Sequence, residues 1–208
     1  MLTLYHAPYS RASRIVTLID ELGIKDRINI VPVTIQRQDG TGAPDAGNPH
    51  PEGKVPLLVH DGVMIRESGA IIQYLTDIFP DAGLGRPVGH PQRGDYISWL
   101  FWYGAVMEPV LIFDVLKIDH PGLPRTFRGH AEVIARLHTA LAKGPYLLGD
   151  AYSAVDLLVQ SPYAWFTQML PDDPVIQAWV ARCAARPSVA RTFASDAALM
   201  AGQAAAAA

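Results

Sequence analysis

Ile15, Leu18, Ile19 and Leu22 recur at i, i+3, i+4 and i+7, the spacing of one helix face, and predict an amphipathic helix over about 11–22. Residues 1–5 before it read as a short strand, and Gly23 after it suits a helix stop, where a left-handed residue is favoured. Ile28, Ile30, Val31 and Val33 make a β-rich run. The chain therefore opens on a strand, helix, strand unit of about 33 residues, whose strands should be parallel with a right-handed crossover. Two short apolar runs, Leu57-Leu58-Val59 and Val63-Met64-Ile65, flank Asp61-Gly62, a pair that favours a tight hairpin turn. Ile71, Ile72, Leu75 and Phe79 then form a helical stripe that starts just after Ser68.

Stretches without a period divide this pattern. Residues 36–53 hold seven Gly and Pro in eighteen positions, an exposed loop of the length that often borders a site. Residues 80–94 hold four Gly and three Pro with no apolar stripe, as a linker does. The expected layout is an α/β domain over 1–79, a linker over 80–92 with the boundary near 85, and an all-helical domain over 93–208. Helices are expected at about 93–117, 125–143, 154–169 and 174–186, with Pro109 and Pro162 bending two of them. Ser153 and Asp156 have the Ser-x-x-acid spacing of a capping box, and the apolar segment 146–149 ahead of them can pack on the cap. The closing AGQAAAAA is low-complexity and is expected to fray or to end the last helix.

Composition narrows the function. Half of the 208 residues are hydrophobic, enough for a sizeable core. The net charge is -3 and no run of Lys or Arg forms a phosphate-binding stripe, which argues against a nucleic-acid partner. The opening MLTLYHAPYSRASR lacks the layout of a signal peptide, and no window approaches the roughly 18 unbroken apolar residues of a membrane span. The expected compartment is the cytoplasm, with no membrane partner. Cys183 is the single cysteine, so an internal disulfide, a Cys-x-x-Cys pair and a thiolate zinc cluster are excluded, and no metal is expected. Sulfur chemistry would require a thiol brought from outside.

The flanks of the hairpin hold the candidate chemistry. Val55 precedes Pro56, which biases it to extended backbone whose N–H and C=O are free to pair with a peptide-like ligand. Ser68 sits where a helix begins, suited either to a carboxylate at the positive helix end or simply to a cap; Glu67 would face a ligand ammonium or solvent. The segment joining the first strand to the first helix, where open α/β sheets tend to bind ligands, offers the hydroxyls of Tyr9, Ser10 and Ser13. Ser10 also reads as an N-cap and Tyr9 as partial core. In the helical half, the aromatic cluster Trp99, Phe101, Trp102 and Tyr103, with Met107 and Phe113, suits either a core or the wall of an apolar pocket between the domains.

These residues together resemble the soluble glutathione transferase superfamily. The likeness spans nearly the whole chain, from Tyr5-His6-Ala7-Pro8-Tyr9-Ser10 to Arg186-Pro187. Its strongest parts are Asn48-Pro49-x-x-x-Gly53-Lys54-Val55-Pro56-Leu57-Leu58, Glu67-Ser68-Gly69-Ala70-Ile71-Ile72-Gln73-Tyr74-Leu75 and Leu148-Gly149-Asp150-x-x-Ser153-x-x-Asp156. The resemblance implies a thioredoxin-like α/β first domain, an all-α helical second domain and a cis bond before Pro56. It implies glutathione as co-substrate, its cysteinyl unit on the Val55 backbone and its γ-glutamyl end on Glu67 and Ser68. Lys54 would meet the remaining carboxylate, with His50 or Gln36 sharing that task. The thiol-activating hydroxyl is ranked Ser10, then Tyr9, then Ser13, as in serine-type or related bacterial and fungal members, and Arg14 adds positive potential or lies on the helix surface. Trp102, Tyr103 and Met107 would line the pocket for a hydrophobic electrophile. A homodimer is implied, with Asp95 a candidate contribution across it. A glutathione-dependent isomerase, peroxidase or dehalogenase, and a non-catalytic interaction module of the same fold, are the rival readings.

Overall fold

The computed structural model describes residues 1–37 and 39–207; Gln38 of the long loop and Ala208 of the terminal run lie outside the described residues. The chain forms two compact units, residues 1–82 together with 185–208, and residues 83–184.

The first unit begins with β1 (Leu2–His6), α1 (Ser13–Glu21), β2 (Ile28–Pro32), β3 (Leu57–His60), β4 (Val63–Ile65) and α2 (Ser68–Ile78). Its sheet has the order β2-β1-β3-β4, with β1 parallel to β2 and antiparallel to β3. The predicted helix face is the buried one: Ile15, Leu18 and Ile19 are sealed with Leu4, Leu57, Ile71, Ile72 and Leu75. Gly23 takes the left-handed conformation that ends α1, and Asp61 and Gly62 both have positive φ, as a two-residue hairpin turn matching the strand twist requires. The bond between Val55 and Pro56 is cis.

The second unit holds α3 (Arg93–Trp102), α4 (Glu108–Leu116), α5 (His130–Leu141), α6 (Ala154–Trp165) and α7 (Pro174–Ala184). A wide π turn over Tyr103–Met107 joins α3 to α4 just ahead of Pro109, which has no N–H to donate into a regular ladder; the expected bend takes this form. The helix expected from 125 starts only at His130, because Arg128 and Gly129 both have positive φ. The continuous stretch Arg93–Leu116 includes an 18-residue window of mean hydropathy 1.4, so one helix is long and apolar enough to cross a membrane by length and composition. Tyr96, Trp99, Leu100, Tyr103 and Met107 of that stretch are buried.

Asp156 organises the start of α6. Its Oδ2 accepts from the Ser153 backbone N–H at 3.0 Å and the Ser153 hydroxyl at 2.9 Å, and its Oδ1 accepts from Leu147 N–H at 2.9 Å and Trp179 Nε1 at 3.0 Å. Burial pushes this carboxyl up while the four donors pull it down. The capping box thus also pins the 146–149 segment and α7 to α6.

The chain returns to the first unit through α8 (Pro187–Ala207), so the terminal alanines continue a helix as far as the described residues reach. The face of α8 that packs on α1 is polar. Ser188, Thr192 and Asp196, spaced by four, meet Glu21, Thr17 and Ser13, also spaced by four, on an antiparallel neighbour. Thr192 and Thr17 hydroxyls are 2.9 Å apart, and the Ser13 hydroxyl donates to Asp196 at 2.5 Å. Arg186 closes the far end with two bonds to Glu21, and Arg191 meets Asp20 at 2.6 Å.

Replacing Asp156 by Ala removes an acceptor from four donors in a buried site. The expected cost is about 3 kcal/mol or more in urea unfolding followed by circular dichroism. A loss below about 1 kcal/mol would show that the four bonds contribute little net stability.

Candidate functional site

Strand register decides which segments meet. Tyr5 of β1 lies opposite Leu57 of β3, and Leu58 lies opposite Ile65 of β4. The end of β1, the start of β3 and the end of β4 therefore share one end of the sheet. The chain leaving β1 there is the 7–12 turn, the chain entering β3 is Lys54, Val55 and Pro56, and the chain leaving β4 is Arg66, Glu67 and Ser68. The sheet thus brings together the residues expected to bind a peptide backbone, an ammonium and a carboxylate.

Each segment is held by local bonds. The Asn48 side chain donates to Lys54 O at 3.1 Å and accepts from His50 N–H at 3.1 Å, and His50 Nδ1 accepts from Glu52 N–H at 3.0 Å. His50 is buried within this loop, while exposed Lys54 meets Glu52 at 2.6 Å and Gln36 donates to Gly40 O. Glu67, exposed and with φ 66, precedes the first turn of α2, whose backbone N–H groups point out of the helix end. Pro56 is buried and Val55 is partly exposed.

At the head of α1 the three hydroxyls differ in commitment. Ser10 is partly exposed; its hydroxyl donates to Ala7 O at 2.7 Å and accepts from Ala12 N–H at 3.1 Å, so it caps the turn. Ser13 is buried and its proton goes to Asp196. Tyr9 has φ 51 and is 46% exposed, its ring tilted against Phe193 of α8 at 6.3 Å. Arg14 is buried on α1 rather than spread on the helix surface.

Residues 4–85 match the family model described as Glutathione S-transferase, N-terminal domain. Glutathione S-transferase 3 of Schizosaccharomyces pombe is 37% identical over 159 residues, which cover 76% of this chain and 62% of that protein. A glutathione transferase of Methylococcus capsulatus superposes with a TM-score of 0.76 at 26% identity, covering 95% of this chain and 99% of that one. Together these likenesses support the glutathione transferase superfamily. A sphingomonad glutathione S-transferase solved in complex with glutathione has the same fold, with a TM-score of 0.73 at 23% identity over 94% of this chain and 98% of that one.

The α/β sheet unit and the helical unit have the expected thioredoxin-like and all-α classes. Among the pocket residues expected in the helical unit, Tyr103 and Met107 are buried, the Tyr103 hydroxyl donating to Glu108 at 3.0 Å. Trp102 packs edge-on against Trp99, and the Arg136 guanidinium lies over both rings, at 4.6 and 4.8 Å from their centroids. Trp99 and Trp102 line a groove of about 780 Å³ between α3 and α5, which Asp95 also borders. Cys183 is buried in α7. Among the described residues no three or more His, Cys, Asp and Glu side chains converge as a metal site would need.

Sequence reasoning missed Asp196 and Arg37. Asp196 Oδ2 accepts from Tyr9 N–H at 2.8 Å as well as from Ser13, and its Oδ1 lies 2.8 Å from His6 Nε2. Arg37 donates to Pro8 O at 2.9 Å. The available signal was the four-residue repeat of Ser188, Thr192 and Asp196, a polar stripe on an alanine-rich helix. Burial alone would raise the Asp196 carboxyl, but bonds from His6, Ser13 and Tyr9 N–H outweigh it and hold the group below the usual range. Glu21 is likewise held low against burial by Arg186 and Ser188.

A carboxyl whose folded pKa is depressed contributes stability that is full above its unfolded value and is lost as pH falls through the folded one. The thermal midpoint should therefore drop as pH falls below about 4. Asp196→Asn should make that drop shallower; parallel curves for the two proteins would rule out an ionised Asp196 as a stabilising group.

Proposed function

We propose that this chain is a glutathione transferase that binds glutathione, stabilises its thiolate and conjugates it to a small hydrophobic electrophile, in a cytoplasmic, detoxifying homodimer. The observation that supports it most is the convergence of Val55-Pro56, Glu67-Ser68 and the head of α1 at one end of the sheet. The Val55 backbone would pair with the cysteinyl unit, as an added strand pairs with a sheet edge. Glu67 would take the γ-glutamyl ammonium, and Ser68 with the first turn of α2 its carboxylate. Lys54, released from Glu52, would take the glycyl carboxylate beside His50.

A free thiol with a pKa of about 8.5 is only a few per cent ionised at pH 7, and lowering it by about two requires ~2.7 kcal/mol of preference for the thiolate. A donated hydrogen bond and the positive end of α1 supply stabilisation of that kind. Ser10 is the favoured donor: it is partly exposed, and turning its proton from Ala7 O to sulfur leaves the Ala12 N–H bond intact. Tyr9 ranks second as an exposed phenol, and Ser13 third because its proton is engaged by Asp196. Of Trp102, Tyr103 and Met107, Trp102 is the one on the groove wall where the electrophile would lie, with Tyr103 and Met107 buried behind it.

Calorimetry with glutathione, then assays on a panel of electrophiles including a chlorinated dinitrobenzene, test the proposal. Binding is expected at millimolar glutathione or below, and its absence would sink the enzyme reading. Binding without turnover on any electrophile would favour the isomerase or interaction-module readings. Ser10→Ala should raise the bound thiol's pKa and slow conjugation by about a hundredfold; an unchanged pH-rate profile would move the role to Tyr9. Sedimentation at micromolar protein should give a dimer.

A further inference from the structure

We propose that α8 is a working part of the glutathione site, with Asp196 the positioning residue that holds the head of α1 in its ligand-ready form. The proposal rests on the glutathione-binding reading above. Tyr9 and Ser10 stand in a turn that regular secondary structure does not define, and Tyr9 has left-handed backbone. A non-glycine residue keeps that conformation only where its surroundings impose it. Here the imposed contact is specific: Tyr9 N–H donates to Asp196. The same carboxylate receives the Ser13 hydroxyl, and Ser13 Oγ in turn accepts from Ser10 N–H at 3.3 Å. Asp196 is therefore linked to both residues that carry the favoured hydroxyls. His6, the last residue of β1, completes the carboxylate's partners, so the strand end, the turn and the helix start share one buried anchor.

The polar seam explains how an anchor 183 residues away from Ser13 arrives in register. Ser188 on Glu21 and Thr192 on Thr17 run along α1 in the same register, and Asp196 is the third rung. A slip by one helical turn would carry Asp196 away from Ser13, Tyr9 N–H and His6 and leave one rung residue at each end of the seam without its partner. The outer turns of α8 add Phe193 against the Tyr9 ring and Met200 near Arg37, whose guanidinium also holds Pro8 O.

The test compares Asp196→Ala, Asp196→Asn and Thr192→Val, the last removing the middle rung without touching the turn. Amide exchange across residues 7–14 should speed by about tenfold or more in Asp196→Ala and stay near wild type in Thr192→Val. Glutathione affinity should fall by about tenfold to a hundredfold in Asp196→Ala, recover partly in Asp196→Asn, which keeps one acceptor oxygen, and change by less than about twofold in Thr192→Val. If Asp196→Ala does not fold, Asp196→Asn with the same two readouts decides. Unchanged exchange and affinity on losing Asp196, or equal losses in Thr192→Val, would overturn the proposal. Failure of the wild-type protein to bind glutathione would remove the functional reading, while the exchange data would still show whether Asp196 holds the turn.

Discussion

The pairing of β1, parallel to one neighbour and antiparallel to the other, is the constraint from which the site follows. An antiparallel β3 must begin where β1 ends, and an antiparallel β4 must end where β3 begins. Three segments, 7–12, 54–56 and 66–68, are thereby delivered to one end of the sheet. What each segment offers there is backbone: Val55 before its cis proline, the open start of α2 and the head of α1. Side chains then choose the ligand's charge pattern, and the hydrogen-bonded loop around Asn48 and His50 keeps the approach to β3 in place.

The second organising feature is a seam of polar side chains where an apolar one is usual. Burying Ser, Thr, Asp and Glu between two helices is unfavourable unless each finds a partner, and here each does. The gain is specificity of register, since sliding would strand a buried polar group at each end of the seam. Arg186 and Arg191 reinforce one end at Glu21 and Asp20, so both ends of α1 are fastened to the same helix.

Much of this was legible in the chain. The stripe of Ile15, Leu18 and Ile19, the Asp61-Gly62 turn and the Ser153 to Asp156 cap all rest on local rules of period and turn chemistry, and each appears where those rules put it. The candidate residues at Val55, Pro56, Glu67 and Ser68 were legible as a combination, because their flanking strands were. α8 was not: its buried face is polar, so a search for apolar periodicity passes over it. The commitment of Ser13 was hidden for the same reason, since the partner that takes its proton lies near the other end of the sequence. The π turn before Pro109 reflects a missing donor that pattern reading registers only as a bend.

The return of α8 makes the helical unit an insertion within the α/β unit, which is assembled from residues 1–82 and 185–208. A ribosome releases the chain in one direction, so strands and helices of the first unit emerge well before the helix that completes their seam. During that interval Ser13, Thr17 and Glu21 face water, which satisfies them without cost, and an apolar face in their place would have been an adhesive surface on every nascent chain. The polar character of the seam thus suits a join that synthesis must leave open until last.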